Sequence, residues 1–155
     1  MSRKPKPTPE PQDGKWRSRI VREAMVPPGD LTPHPQNWRT HPLPQQEALE
    51  GVLDEVGWVQ RIIVNERTGR VVDGHLRVEL ALQRHEPAVP VLYVDLTEAE
   101  EALVLATLDP VAALAKADAE RLGRVLASTS TENAALAEFL DRLADSLGAD
   151  RKGKE

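Results

Sequence analysis

The sequence predicts an α+β domain followed by a helical hairpin. Three observations carry this. The runs RIIVN (61–65), RVVD (70–73) and VPVLYV (89–94) are short, apolar and β-branched, and read as strands. Stretches with apolar residues at helical spacing lie among them. The last forty or so residues carry only helical patterns.

Residues 1–15 are expected to be disordered, since three Lys or Arg and four Pro lie among the first eleven. Order is expected from Trp16, with a first strand from Ile20 to Val26 before the breaker Pro27-Pro28-Gly29. LTPHPQNWRTHPLP follows, and its prolines dictate an extended, stiff loop. A helix is predicted from Pro44, with Leu49, Val52, Leu53 and Val56 as its apolar stripe and Gly57 ending it in a left-handed conformation. Glu66–Gly69 reads as a hairpin turn, and 75–84 as a helix. Pro90 marks a strand start or an edge. Thr97 and Glu100 form a capping box for a helix to about Leu108. Asp109-Pro110 reads as a fresh N-cap and N1. A helix over about 118–127, a second capping box at Thr129–Glu132 and a last helix to Leu147 complete the chain. The expected organisation is a tail (1–15), a domain (16–115), a helical hairpin (116–148) and a second tail (149–155).

The length of 155 residues suffices for one core. With no cysteine there is neither a disulfide framework nor a thiolate site. No apolar stretch is long enough to span a bilayer, and MSRKPKPTPEPQDGK lacks the apolar core of a secretory signal, so a cytoplasmic protein is expected. The net charge is −5, but residues 1–22 hold seven Lys or Arg against two acids. Such a basic arm is either a solvated tail or a contact for a nucleic-acid backbone. The acidic remainder argues against a broad DNA-binding face.

The chemistry concentrates in VVDGHLRVELALQ (71–83), where a strand meets a glycine and turns directly into a helix. A helix N-terminus exposes unpaired N–H groups and the positive end of the macrodipole. Glycine admits an anion close to the backbone, and a first-turn arginine adds a planar charged fork. Gly74, His75 and Arg77 therefore form a candidate phosphate cradle. On local chemistry alone, a glycine used for turn geometry and a solvated arginine are the simpler reading of the stretch.

The order of motifs resembles the N-terminal domain of the ParB family, which shares a fold with sulfiredoxin. The resemblance covers about Leu31 to Ala115. LTPHPQNWRTH is similar to the family's first motif, with Asn37 and Arg39 in place. ALEGVLDEVGWVQRIIVN looks like its helix, glycine cap and hairpin strand. Gly74 and Arg77 match its G-x-x-R-x-x-A phosphate motif, and the GHxR form and LTEAEEALVLATLDP look like the phage or methyltransferase-associated type. The resemblance implies a site for a nucleoside triphosphate, CTP or ATP, with Mg²⁺, contacted by Gly74, His75, Arg77, Asn37 and Arg39. It implies work in DNA metabolism as an NTPase or nuclease. Other outcomes are a non-catalytic adaptor for a DNA-modifying, methyltransferase or packaging partner, and a small-molecule phosphotransferase. Sulfiredoxin chemistry is excluded, because its cysteine falls where His75 stands.

His75 is a candidate general base, with helix packing as the alternative. Asp73 is a candidate catalytic or Mg²⁺-holding carboxylate, with a solvated strand end as the alternative. Asp109 is a candidate metal ligand or simply an N-cap. His34 and His41 are expected to be loop residues, Trp38 to pack the loop onto the body, and His85 to face water.

Overall fold

A computed structural model of the chain describes residues 15–113 and 115–149, with the side chains of 109–111 left undescribed. Residues 1–14 and most of the C-terminal tail thus lie outside the described residues, whereas Lys15, Arg17, Arg19 and Arg22 of the basic arm lie within them. The elements run β1 (Ile20–Val26), a 3-10 turn (Pro28–Asp30), α1 (Leu43–Glu55), β2 (Ile62–Asn65), β3 (Arg70–Asp73), α2 (His75–Gln83), β4 (Val89–Val94), α3 (Glu98–Ala113), α4 (Ala119–Ala127) and α5 (Ala134–Ser146). This is a mixed α+β fold, as predicted. Two compact units are formed, one by the chain up to Trp38 with Gln60–Asp109, the other by Arg39–Val59 with the chain from Pro110 onward.

The first unit is built on a four-stranded mixed sheet in the order β1-β4-β2-β3. β4 lies antiparallel to β1 and parallel to β2, and β2 and β3 form the hairpin. Ile62, Val64, Val71, Val72, Val89 and Val91 are almost wholly buried, which explains why these runs are β-branched on both faces. Gly69 turns the hairpin at φ 71° and donates its N–H to the Asn65 carbonyl at 2.8 Å. Pro90 is the second residue of β4, and pairing with β2 begins only at Val91, so its missing N–H interrupts no bond to β2. α2 buries His75, Leu76, Val78, Leu80 and Ala81. Full burial of a leucine contributes roughly 1.5–3 kcal/mol, so Leu76 and Leu80 anchor this helix. His85 is exposed, as expected, and takes a left-handed φ of 57° just past the helix.

The first capping box is closed in both directions. Glu100 N–H donates to Thr97 Oγ1 at 3.2 Å, and Thr97 N–H donates to Glu100 Oε1 at 3.0 Å. Arg19 clamps the same carboxylate with two bonds, at 2.5 and 2.9 Å. These contacts, Arg19 first, pull the Glu100 carboxyl down to about 2.

Three local expectations are corrected. The buried face of α1 carries Ala48 and Gly51, while Leu49, Val52 and Leu53 are half-buried and Val56 is 68% exposed. The reason is α5, which packs on α1 in the second unit. A Cβ on Gly51 would meet Asn133 Oδ1 at 2.9 Å, so the close approach selects small residues over the leucine stripe. Secondly, no helix starts at Asp109-Pro110, because α3 runs through both to Ala113. Proline costs an interior helix one backbone bond, but a helix already capped at Thr97 can propagate past it. Thirdly, α5 is capped by Asn133, whose Oδ1 accepts from Leu136 N–H at 2.9 Å, and not by the Thr129–Glu132 box. Thr131 Oγ1 instead accepts from Asn133 N–H at 3.0 Å and so supports the cap from outside the helix. α4 is capped by Asp118, and with α5 it forms the C-terminal hairpin.

Two outcomes follow. Glu100 has its ordinary value of 4.5 when unfolded and about 2 when folded. Its contribution is therefore complete above pH 4.5 and lost as pH falls toward 2. Subtracting the stability-versus-pH curve of Glu100→Gln from that of wild type should give a difference that shrinks across this window; a pH-independent difference would contradict the assignment. Gly51 and Asn133 should be coupled. Gly51→Ala alone should be near neutral, because the gain of about 1 kcal/mol in helix propensity is offset by the displaced cap. In an Asn133→Ala background the same change should stabilise by about 1 kcal/mol, measured by urea denaturation of all four proteins.

Candidate functional site

The Gly74 turn forms where β3 ends. Gly74 is the N-cap of α2 at φ 97°, ψ 21°, a left-handed conformation open to glycine and strained for other residues. Crowding adds a second demand. A Cβ there would lie 3.1 Å from both Arg77 Nη2 and Ile62 Cγ1. The glycine cap makes no side-chain bond to the first turn, and the first turn holds no acid. Arg77 folds back over this glycine. Its Nη1 donates to Gln60 Oε1 at 2.8 Å, its Nη2 lies 3.4 Å from Asp73 Oδ2, and its buried Nε has no hydrogen-bond partner among the described residues. Glycine, arginine and Asp73, all expected at the site, thus share one turn.

His75 is also there, but 8% exposed, with Nε2 accepting from the backbone N–H of His34 at 3.1 Å. Its proton therefore sits on Nδ1. The bond ties the proline-rich loop to the first turn of α2. Asn37 belongs to that loop and donates its N–H to the His34 carbonyl at 3.1 Å; its buried Oδ1 has no partner among the described residues. Trp38 is 55% exposed, with its indole N–H directed at the Leu105 carbonyl at 3.4 Å. Arg39 is half-buried and opens the second unit. The Asp109 side chain lies outside those described. Among the described residues, no group of three or more His, Asp or Glu is arranged to hold a metal ion.

Sequence reasoning missed a buried polar cluster beside the turn. His34, expected as an ordinary loop residue, is 5% exposed. Its Nδ1 accepts from Gln36 N–H at 3.0 Å, so Nε2 carries the proton and faces Glu101 Oε2 at 3.2 Å. Glu101 is 1% exposed and also accepts from Asn65 Nδ2 at 3.1 Å, from Thr68 Oγ1 and from Arg70 Nη1 at 3.4 Å. Burial pushes its carboxyl up; the hydrogen bonds from Thr68 and Asn65, with His34 and Arg70, outweigh burial and hold it below its ordinary value. One signal was present. Glu101 stands four residues before buried Leu105, on the inner stripe of α3.

No protein-family model matches the chain, and no curated protein matches it. Solved structures do. The chain is similar to the C-terminally truncated chromosome-partitioning protein ParB from Caulobacter crescentus complexed with CTP-gamma-S, with a TM-score of 0.51 and 21% identity over 84% of this chain and 73% of that one. It is similar to a Pnob8-like ParB-N domain with a TM-score of 0.51 and 17% identity over 86% of this chain, but it spans only 50% of that structure. The chain has a ParB-like fold. The fold expected from the four motifs is thus shown, and the Gly74 turn, the proline-rich loop as far as Trp38 and the buried cluster all lie in the first unit.

The geometry at Gly74 is testable by stability alone. Gly74→Ala should destabilise by about 1–3 kcal/mol, from the left-handed φ and the displaced Arg77. Gly29→Ala, where a Cβ would meet nothing within 4 Å, should be close to neutral in the same thermal melts.

Proposed function

We propose that this chain is a ParB-like nucleoside-triphosphate-binding protein of phage or methyltransferase-associated type, working in DNA metabolism. The observation that carries the proposal is the Gly74 turn. It combines a glycine N-cap that makes no side-chain cap bond, the positive macrodipole end and an arginine folded back over that glycine. The CTP-gamma-S carried by the similar Caulobacter ParB supports a nucleotide as the anion. Gly74, His75 and Arg77 would meet the phosphates, with Asn37 from the loop motif as a further contact. Asp73 is a hard oxygen donor at the turn and fits Mg²⁺ shared with phosphate oxygens; Asp109 is a second candidate. Mg²⁺ would screen the phosphates from the Asp73 charge. DNA would be met by the basic N-terminal arm. NTPase or nuclease chemistry would use Asp73 and His75.

Titration calorimetry with CTP, ATP, GTP and UTP, with and without Mg²⁺, tests the site. Wild type should bind at least one triphosphate in Mg²⁺. Arg77→Ala should weaken it by about 1.5–3 kcal/mol, and Arg77→Lys should recover only part, because it restores charge but not the planar fork. Equal binding by wild type and Arg77→Ala would rule out the cradle.

A further inference from the structure

The buried cluster beside the turn has a directionality that its burial alone does not require. Every polar atom of His34 is engaged. Its N–H donates to His75 Nε2 at 3.1 Å, its carbonyl accepts from Asn37 N–H at 3.1 Å, its Nδ1 accepts from Gln36 N–H at 3.0 Å, and its Nε2 faces Glu101 at 3.2 Å. These four contacts fix both imidazole tautomers. His34 is protonated on Nε2 and His75 on Nδ1. They also connect α3 to the loop and the loop to the phosphate turn.

We infer that His34 and Glu101 are positioning residues of the candidate phosphate site. The Glu101 carboxylate holds the His34 ring, and His34 holds Asn37 and the His75 ring against the Gly74 turn. The inference rests on the nucleotide reading of that turn. Neither residue touches the anion. Glu101 is itself immobile, because Asn65, Thr68 and Arg70 donate to it from the β2–β3 hairpin. A rigid carboxylate selects one ring orientation, and that orientation places the loop backbone. His34 is the side chain that bonds both Glu101 and the loop amide of Gln36.

The test uses the full chain and three variants. Glu101→Gln keeps the shape and one acceptor oxygen. His34→Phe keeps a ring but removes both ring nitrogens. Val89→Ala removes buried apolar volume from β4 and touches no member of the cluster, so it reports stability alone. Backbone amide exchange at His34, Gln36 and Asn37 is measured by NMR without ligand. Affinity for CTP and ATP with Mg²⁺ is measured by calorimetry under conditions where each variant is folded. Glu101→Gln and His34→Phe should speed exchange at these amides, relative to the rest of the sheet, by tenfold or more, and weaken triphosphate binding about tenfold. Val89→Ala should lower the melting temperature yet leave both readouts within twofold of wild type. If Glu101→Gln does not fold, His34→Phe carries the test. Loss of stability with unchanged amide rates, or equal effects in all three variants, would overturn the positioning role. If wild type binds no triphosphate, the nucleotide reading fails, and the amide rates alone decide whether His34 and Glu101 order the loop.

Discussion

The first unit depends on a carboxylate that has been taken out of water. Glu101 is 1% exposed, and a buried charge costs several kcal/mol unless its lone pairs are met. Here they are met from two separate segments of chain. Asn65, Thr68 and Arg70 come from the hairpin, and His34 comes from the proline-rich loop. Asn65 is itself locked to the exit of β4, since its Nδ2 donates to the Leu96 carbonyl and its Oδ1 accepts from the Leu96 N–H. One acidic side chain on α3 thereby sets the mutual position of hairpin, loop and helix. None of these three could satisfy it alone.

A second layer of charge lies nearer the surface. Arg19 grips Glu100 at the start of α3, and Arg67 grips Asp95 just after β4, at 2.5 Å. Both arginines are held in the charged form by their partners. These pairs tie the chain before β1 and the hairpin turn to the segment joining β4 to α3. They remain partly exposed, Glu100 most at 30%, and so contribute less than their short distances suggest. Their use is geometric: they close the end of the sheet at which Glu101 is buried.

The candidate site inherits its order from this frame. Gly74 supplies a backbone conformation that a side chain would strain, and Arg77 occupies the space a Cβ would need. Asp73 and Gln60 hold the guanidinium near the turn. An anion arriving at α2 would therefore meet an arginine already bent toward it, which lowers the ordering cost of binding. His75, a candidate base on sequence grounds, has one ring nitrogen committed to the loop backbone.

The strands, the glycine turn and the first capping box were legible in the sequence, because each is set by residues adjacent along the chain. β-branched runs, a glycine that must take a left-handed φ, and a Thr–Glu pair three apart carry their geometry with them. So did the ParB-like order of motifs. The face of α1 was not legible, since it depends on α5 approaching Gly51, some eighty residues away. The start of α5 was misread because two caps compete within five residues, and contacts outside the local stretch favour Asn133. The roles of His34 and Glu101 were hidden for the same reason. A histidine in a proline-rich loop and a glutamate on a helix are ordinary surface residues until the fold brings them to 3.2 Å in the absence of water. Local conformation is decided by short-range sterics and hydrogen bonding, which the sequence displays. Burial of a charge is decided by partners distant in sequence, which only the tertiary structure brings together.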